Sequence, residues 1–169
     1  MPSAKRDAQN TAKGPPSVPP LRGSFSANPI DTSVREAFRT GRATTNDEVG
    51  QLIERMATVP FPTARPHLEM HAVNDEQWTE GTTIDQYVDD LRRAIRDPTA
   101  RLALYIRRGG HLAGVLAETA RIIPTERLGA QALPLLFVVY SADRGIIVTG
   151  YQVSSLDRIR LSEDVRWLK

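Results

Sequence analysis

Two histidines four residues apart, His67 and His71, and a hydroxyl and a phenol two residues apart, Thr149 and Tyr151, are the side chains here best suited to chemistry. Imidazole has an unperturbed pKa near 6.5, so one ring can accept a proton while a second donates one at neutral pH. Cleavage of RNA through its own 2′-hydroxyl needs that pair of transfers. It also needs donors around the phosphate, where charge builds in the transition state. Thr149, Tyr151 and an arginine are donors of the right kind, and the reaction requires neither a metal nor a cofactor.

Other chemistries fit less well. His67-x-x-x-His71 with Glu69 between could bind zinc, but the zinc-protease motif has Glu directly after the first His, where Leu68 stands here. A third ligand is also missing. The absence of cysteine excludes disulfides, thiolate metal sites and cysteine nucleophiles. His111 follows Gly109-Gly110 and reads as a loop residue.

The elements that must position these residues can be read from pattern. Leu135–Tyr140 and Ile146–Gln152 are apolar, β-branched runs around Ser141-Ala142-Asp143-Arg144-Gly145, a β-hairpin signature. Six apolar residues in a row predict a strand covered on both faces, so the hairpin is expected at the sheet centre. Alternation along its second strand puts Ile147, Thr149 and Tyr151 on one face. Leu102, Leu104 and Ile106 alternate in a further strand at 101–107; after Gly109-Gly110, the pattern at 111–118 fits either its returning partner strand or a helix. A connection at 119–134 buries Ile122 and Ile123, Leu156–Leu161 is a short strand, and Trp167 pins the C-terminus.

Upstream, Thr45-x-x-Glu48 and Thr83-x-x-Gln86 have capping-box spacing. Val49, Leu52, Ile53 and Met56 make the apolar stripe of a helix at about 46–57. Ile84, Tyr87, Val88, Leu91 and Ile95 make that of a helix at 84–96, with Asp85, Asp89, Asp90, Arg92, Arg93 and Arg96 outside. Pro60, Pro62 and Pro66 predict an extended link before His67, Val34–Arg39 a helical turn or two, and Trp78 an anchor in a polar stretch. Helices first and strands after predict an α+β fold, with helices packed on one face of an antiparallel sheet of about four strands.

The order His-x-x-x-His, Thr83-Ile84-Asp85-Gln86-Tyr87, then strands ending in Gly145-Ile146-Ile147-Val148-Thr149-Gly150-Tyr151, resembles the barnase–EndoU–colicin–RelE superfamily of ribonucleases, particularly its polymorphic-toxin and phage-encoded branches. The resemblance covers about residues 60–155 and rests on order and spacing. It implies a metal-independent endoribonuclease of bacterial toxin type, with His67 and His71 in the site and Thr149 and Tyr151 on the phosphate, without saying which histidine is the base. It also implies an arginine from a middle strand, for which Arg107, Arg108 and Arg121 are candidates. The expected partners are RNA, with tRNA among the targets, and a cognate immunity or antitoxin protein. The alternative is a non-catalytic interaction module of the same fold, tethered through its proline-rich arm.

Charge and composition set the remaining bounds. Residues 1–42 hold seven basic and three acidic side chains, whereas 43–169 hold fifteen and seventeen. The folded part is therefore not globally basic, which argues against indiscriminate nucleic-acid affinity. The first 33 residues are rich in proline, including Pro15-Pro16 and Pro19-Pro20, and poor in large apolar residues. Such a segment cannot offset its ordering entropy, so residues 1–43 are expected to form a disordered basic arm and 44–169 the domain. No stretch has the length and apolarity of a membrane span and no signal-peptide pattern opens the chain. The expected location is therefore the cytoplasm of the producing or target bacterium.

Overall fold

The structure, a computed structural model, describes residues 25–159, 161 and 164–169. Its elements are α1 (Pro29–Thr40), α2 (Asn46–Thr58), α3 (Ala64–Leu68) running into a π-helical turn (Glu69–Asn74), α4 (Ile84–Arg96), β1 (Arg101–Arg107), β2 (Gly110–Glu118), α5 (Thr119–Ile122), β3 (Leu135–Ser141), β4 (Ile146–Val153) and β5 (Arg166–Trp167). The sheet is antiparallel, in the order β4-β3-β2-β1-β5. The α+β architecture is as expected, with one strand more.

Both capping boxes form, Thr45 with Glu48 and Thr83 with Gln86, and start their helices at the expected residues. These caps satisfy backbone donors that the first helical turn otherwise leaves without partners. Leu52, Met56, Tyr87, Leu91 and Ile95 are sealed in one core with Leu102, Leu104, Val115, Leu136, Val138, Tyr140 and Ile147 from the sheet. At Gly150 a Cβ would lie 2.5 Å from the Leu91 side chain, so α4 rests directly on β4 there. The other sheet face carries Tyr105, Leu116, Phe137, Val139 and Val153, covered by Ile159 with Leu156, Leu161 and Val165. Leu135–Tyr140 is apolar throughout because both of its faces are packed.

Several expectations are corrected. The predicted arm lies outside the described residues up to residue 24, but residues 29–40 form α1, begun by the Asn28 cap with Pro29 at the first position and ended by Gly41 at φ 76°. Its Ile30, Val34, Ala37 and Phe38 join the core, and buried Asp31 accepts bonds from Tyr140, Ser26 and Arg55. The domain therefore begins before residue 44. The hairpin is not central: β2 is the middle strand and β4 lies at the edge. The link before His67 turns helical at Ala64, because Pro66 falls in the first turn, where a missing N–H costs nothing. Leu156–Arg158 is a 3₁₀ turn, and the last strand is Arg166–Trp167. Asp90 is fully buried rather than outside. His111 is part of β2, its backbone N–H and Nδ1 both engaged with the Asp143 carboxylate at 2.8 and 3.0 Å.

The outer side of β4 is covered by side chains and by loop backbone. Ile147 N–H donates to the Pro60 carbonyl at 3.1 Å, and the Tyr87 hydroxyl donates to the Gly150 carbonyl. The Gln77 amide then takes both backbone groups of Gln152, accepting from its N–H at 2.8 Å and donating to its carbonyl at 3.1 Å. The Gln152 side chain returns a bond to the Gln77 carbonyl at 2.8 Å and accepts from Leu133 N–H.

Candidate active site

The segment that carries the histidines is bent over β4. Phe61 anchors it in the core, α3 follows, and the π turn ends where Gln77 bonds β4. Four residues at 3.6 per turn overshoot one turn by about 40°. The wider π turn that takes over at Glu69 removes part of that overshoot, so His67 and His71 fall on one face. Their rings lie 6.0 Å apart with planes at 20°.

On the strand side, pairing jumps from Val139–Thr149 to Tyr140–Ile147, leaving Val148 as a bulge. The bulge turns Ile147 to the helix face, so Ile147 does not share a face with Thr149 and Tyr151, which remain together opposite Val139 and Phe137. The four expected residues meet there. His67 Nδ1 lies 3.1 Å from the Thr149 hydroxyl, across 82 positions of chain. The ring of His71 faces that of Tyr151 at 5.7 Å and 28°. Phe61 faces the other side of His67 at 5.5 Å, and the edge of Phe137 closes on Tyr151 at 5.8 Å. The result is a column of rings, Phe61–His67–His71–Tyr151, with a hydroxyl at its flank.

The two imidazoles are not equivalent. His67 is half-buried; burial, and then the neighbouring His71, hold its pKa below the ordinary imidazole value. Both causes favour its neutral form. His71 is 6% exposed, not the surface residue that its position in a polar helix start suggests. Its Nδ1 lies 2.8 Å from the Asp75 carboxylate, an acceptor that fixes the proton on Nδ1 and pairs an imidazolium charge when one forms. Its Nε2 is sealed from solvent and has no partner among the described residues. Burial raises the Tyr151 pKa, with Arg107 opposing, so the phenol stays protonated and is a donor. Asp75 was missed in the sequence although it stands four residues after His71, one turn along the same face.

The arginines separate. Arg107 ends β1, exposed, with no hydrogen bond or ion pair among the described residues, and its charge acts on Tyr105 and Tyr151. Arg108 sits exposed in the adjoining turn at φ 51°, with no contact to the ring column. Arg121 is not at this site. It pairs with Asp97 at 3.3 Å in a cleft beside α4. Glu69 lines another hollow with Arg65 and Asp85, so it does not join the histidines. Among the described residues no three His, Cys, Asp or Glu side chains converge as metal ligands would, and no helix is long and apolar enough to cross a membrane.

No family model, curated protein or solved structure matches the chain. The functional reading therefore rests on the ring column itself.

Proposed function

We propose that the chain is a metal-independent endoribonuclease whose ring column cleaves RNA by attack of the 2′-hydroxyl on the adjacent phosphorus. The observation that carries this reading is the meeting of two imidazoles, a hydroxyl and a protonated phenol from segments about eighty residues apart. His67, held neutral, takes the 2′-hydroxyl proton as oxygen bonds phosphorus. His71, charge-paired by Asp75, returns a proton to the departing 5′-oxygen. The products are a 2′,3′-cyclic phosphate and a free 5′-hydroxyl. Thr149, Tyr151 and Arg107 donate to the phosphate oxygens as charge builds on them. Because His71 Nε2 is sealed, delivery from it requires Tyr151 to swing aside as substrate enters. A bacterial toxin setting, with an immunity or antitoxin partner and action in the cytoplasm, accompanies this reading.

Purified protein incubated with unstructured RNA in EDTA is expected to leave 2′,3′-cyclic phosphate ends. Linear 3′-phosphates formed directly, or cleavage abolished by EDTA, would refute the mechanism. Tyr151→Phe is expected to lower kcat/KM by about 1.5–3 kcal/mol in transition-state terms, the usual worth of a hydrogen bond to a charged oxygen. An unchanged value would remove the phenol from the phosphate.

The depressed pKa of His67 makes a separate prediction for pH. A base works deprotonated, and lowering its pKa extends that form to lower pH. The acid limb of kcat/KM is therefore expected below the ordinary imidazole value of about 6.5. A limb at or above that value would take His67 out of the base role.

An interaction module is the second reading, and the exposed Met70 and Val73 on the π turn favour it. Protein that leaves every RNA intact while forming a complex abolished by Met70→Ser and Val73→Ser would decide for that reading.

A further inference from the structure

Arg92, Arg93 and Arg96 of α4, Arg121 of α5 and Arg127 line one solvent-open cleft of about 1000 Å³. Asp89 and Asp97 are the carboxylates among its lining residues; with Asp90 and Glu54, which pair with lining arginines, five positive charges meet four negative ones, and Arg92 is the one left over. Four of the arginines have acidic partners: Arg93 and Arg127 meet Asp90, Arg96 meets Glu54, and Arg121 meets Asp97. A guanidinium carries five donors, and these pairings leave donors over in each case. Arg92 has no hydrogen bond or ion pair among the described residues, and its Nε is sealed from water without an acceptor. Like charges gathered in this way repel, and a desolvated donor without an acceptor destabilises the fold. An anion in the cleft relieves the repulsion.

We propose that this cleft binds the phosphodiester backbone of a single-stranded nucleic acid, independently of the ring column and of sequence. Arg92 and Arg96 stand one helical turn apart, about 6 Å along α4, so the charges run along the cleft instead of focusing on one point. Guanidinium forks match phosphate oxygens two at a time. The apolar lining is confined to small or aliphatic groups such as Ala57, Pro98 and Ile122, with no aromatic ring. A nucleotide base therefore has nothing to stack on, and a protein partner lacks the apolar pocket its anchor residues need. A single strand is flexible enough to bring successive phosphates to this short row of charges, whereas a duplex is stiff on this scale.

The test uses the full chain and a fluorescent oligodeoxythymidine, which lacks the 2′-hydroxyl and cannot be cut. Anisotropy titrations are expected to show binding that weakens with salt. Arg92→Gln/Arg96→Gln, chosen because neither side chain supports buried Asp90, is expected to lower affinity at least about tenfold. It should also reduce the slope of log K against log salt by about 1.4, at about 0.7 per single-strand phosphate contact. The single variants Arg92→Gln, with about half that change in slope, and Arg92→Lys, which keeps the charge and the slope, guard against misfolding of the double variant. Arg39→Gln, on α1 and outside the cleft, is expected to bind as wild type does. Absence of binding by wild type, or equal binding and slope in the arginine variants, would overturn the proposal. So would displacement of the probe by tripolyphosphate or polyglutamate at equal charge, which would assign the cleft to free polyphosphate or an acidic protein. Failure of the ribonuclease reading is told apart by its own readout: RNA left intact with the arginine effects present refutes only cleavage, and cleaved RNA without those effects refutes only the cleft.

Discussion

His67→Ala is expected to lose RNA cleavage by about 10²–10⁴-fold while the protein stays folded. General acid–base groups contribute on this scale. His67 is the member of the ring column suited to the test: it is half-buried, its one side-chain hydrogen bond among the described residues is with the Thr149 hydroxyl, and Thr149 is itself partly exposed. Initial rates on a single-stranded RNA, alongside a thermal melt of the same preparation, measure both halves of the expectation. His71→Ala is a different experiment. That ring is buried between two others and hydrogen-bonded to Asp75, so its removal lowers stability together with activity. Undiminished cleavage in His67→Ala would end the proposed proton transfer.

The second large effect is on stability. Asp90 is wholly buried and accepts from Trp78 Nε1 at 3.1 Å, from Arg127 through two nitrogens, and from Arg93. Asp90→Ala strands the buried indole donor and leaves Arg127, whose side chain is 14% exposed, without its counter-charge. Breaking a buried pair from one side costs about 3–5 kcal/mol. At the usual 2–4 °C per kcal/mol for a domain of this size, the melting temperature should fall by roughly 6–20 °C. Asp89→Ala, one residue earlier and exposed, is the control and is expected to stay within about 0.5 kcal/mol of wild type. Equal melting temperatures for the two variants would mean that Asp90 does not hold α4 to Trp78 and Arg127.

What the sequence made legible follows how local the determining interaction is. The Thr45 and Thr83 caps act within four residues, and both helices start where those residues say. The meeting of the histidines with Thr149 and Tyr151 was also legible, because residue types narrow the choice of acid–base groups before any fold is known. Strand order was not: the apolar run at Leu135–Tyr140 says that both faces are covered, but not that β4 beside it lies outermost. The bulge at Val148 was hidden because Ile146, Ile147 and Val148 are interchangeable in pattern, so any of them could change face unseen. Asp90 carried a signal that was passed over. It stands three residues after Tyr87 and four before Ala94, on the buried stripe, where a carboxylate must have partners. Helix α1 was legible only over Val34–Arg39; its first turn was masked by the proline-rich composition around it, although Asn28-Pro29 is a cap followed by a residue suited to that turn.

The covering of β4 between Ile147 and Gln152 has a consequence for association. An uncovered outermost strand is a template: its free amides and carbonyls recruit another extended chain, as in β-augmentation or fibril growth. Here a proline carbonyl, a buried phenol and a glutamine amide already occupy those groups at Ile147, Gly150 and Gln152. The strand that carries Thr149 and Tyr151 is thereby a poor template for backbone pairing, and side-chain chemistry dominates the selection of whatever engages this side of the molecule.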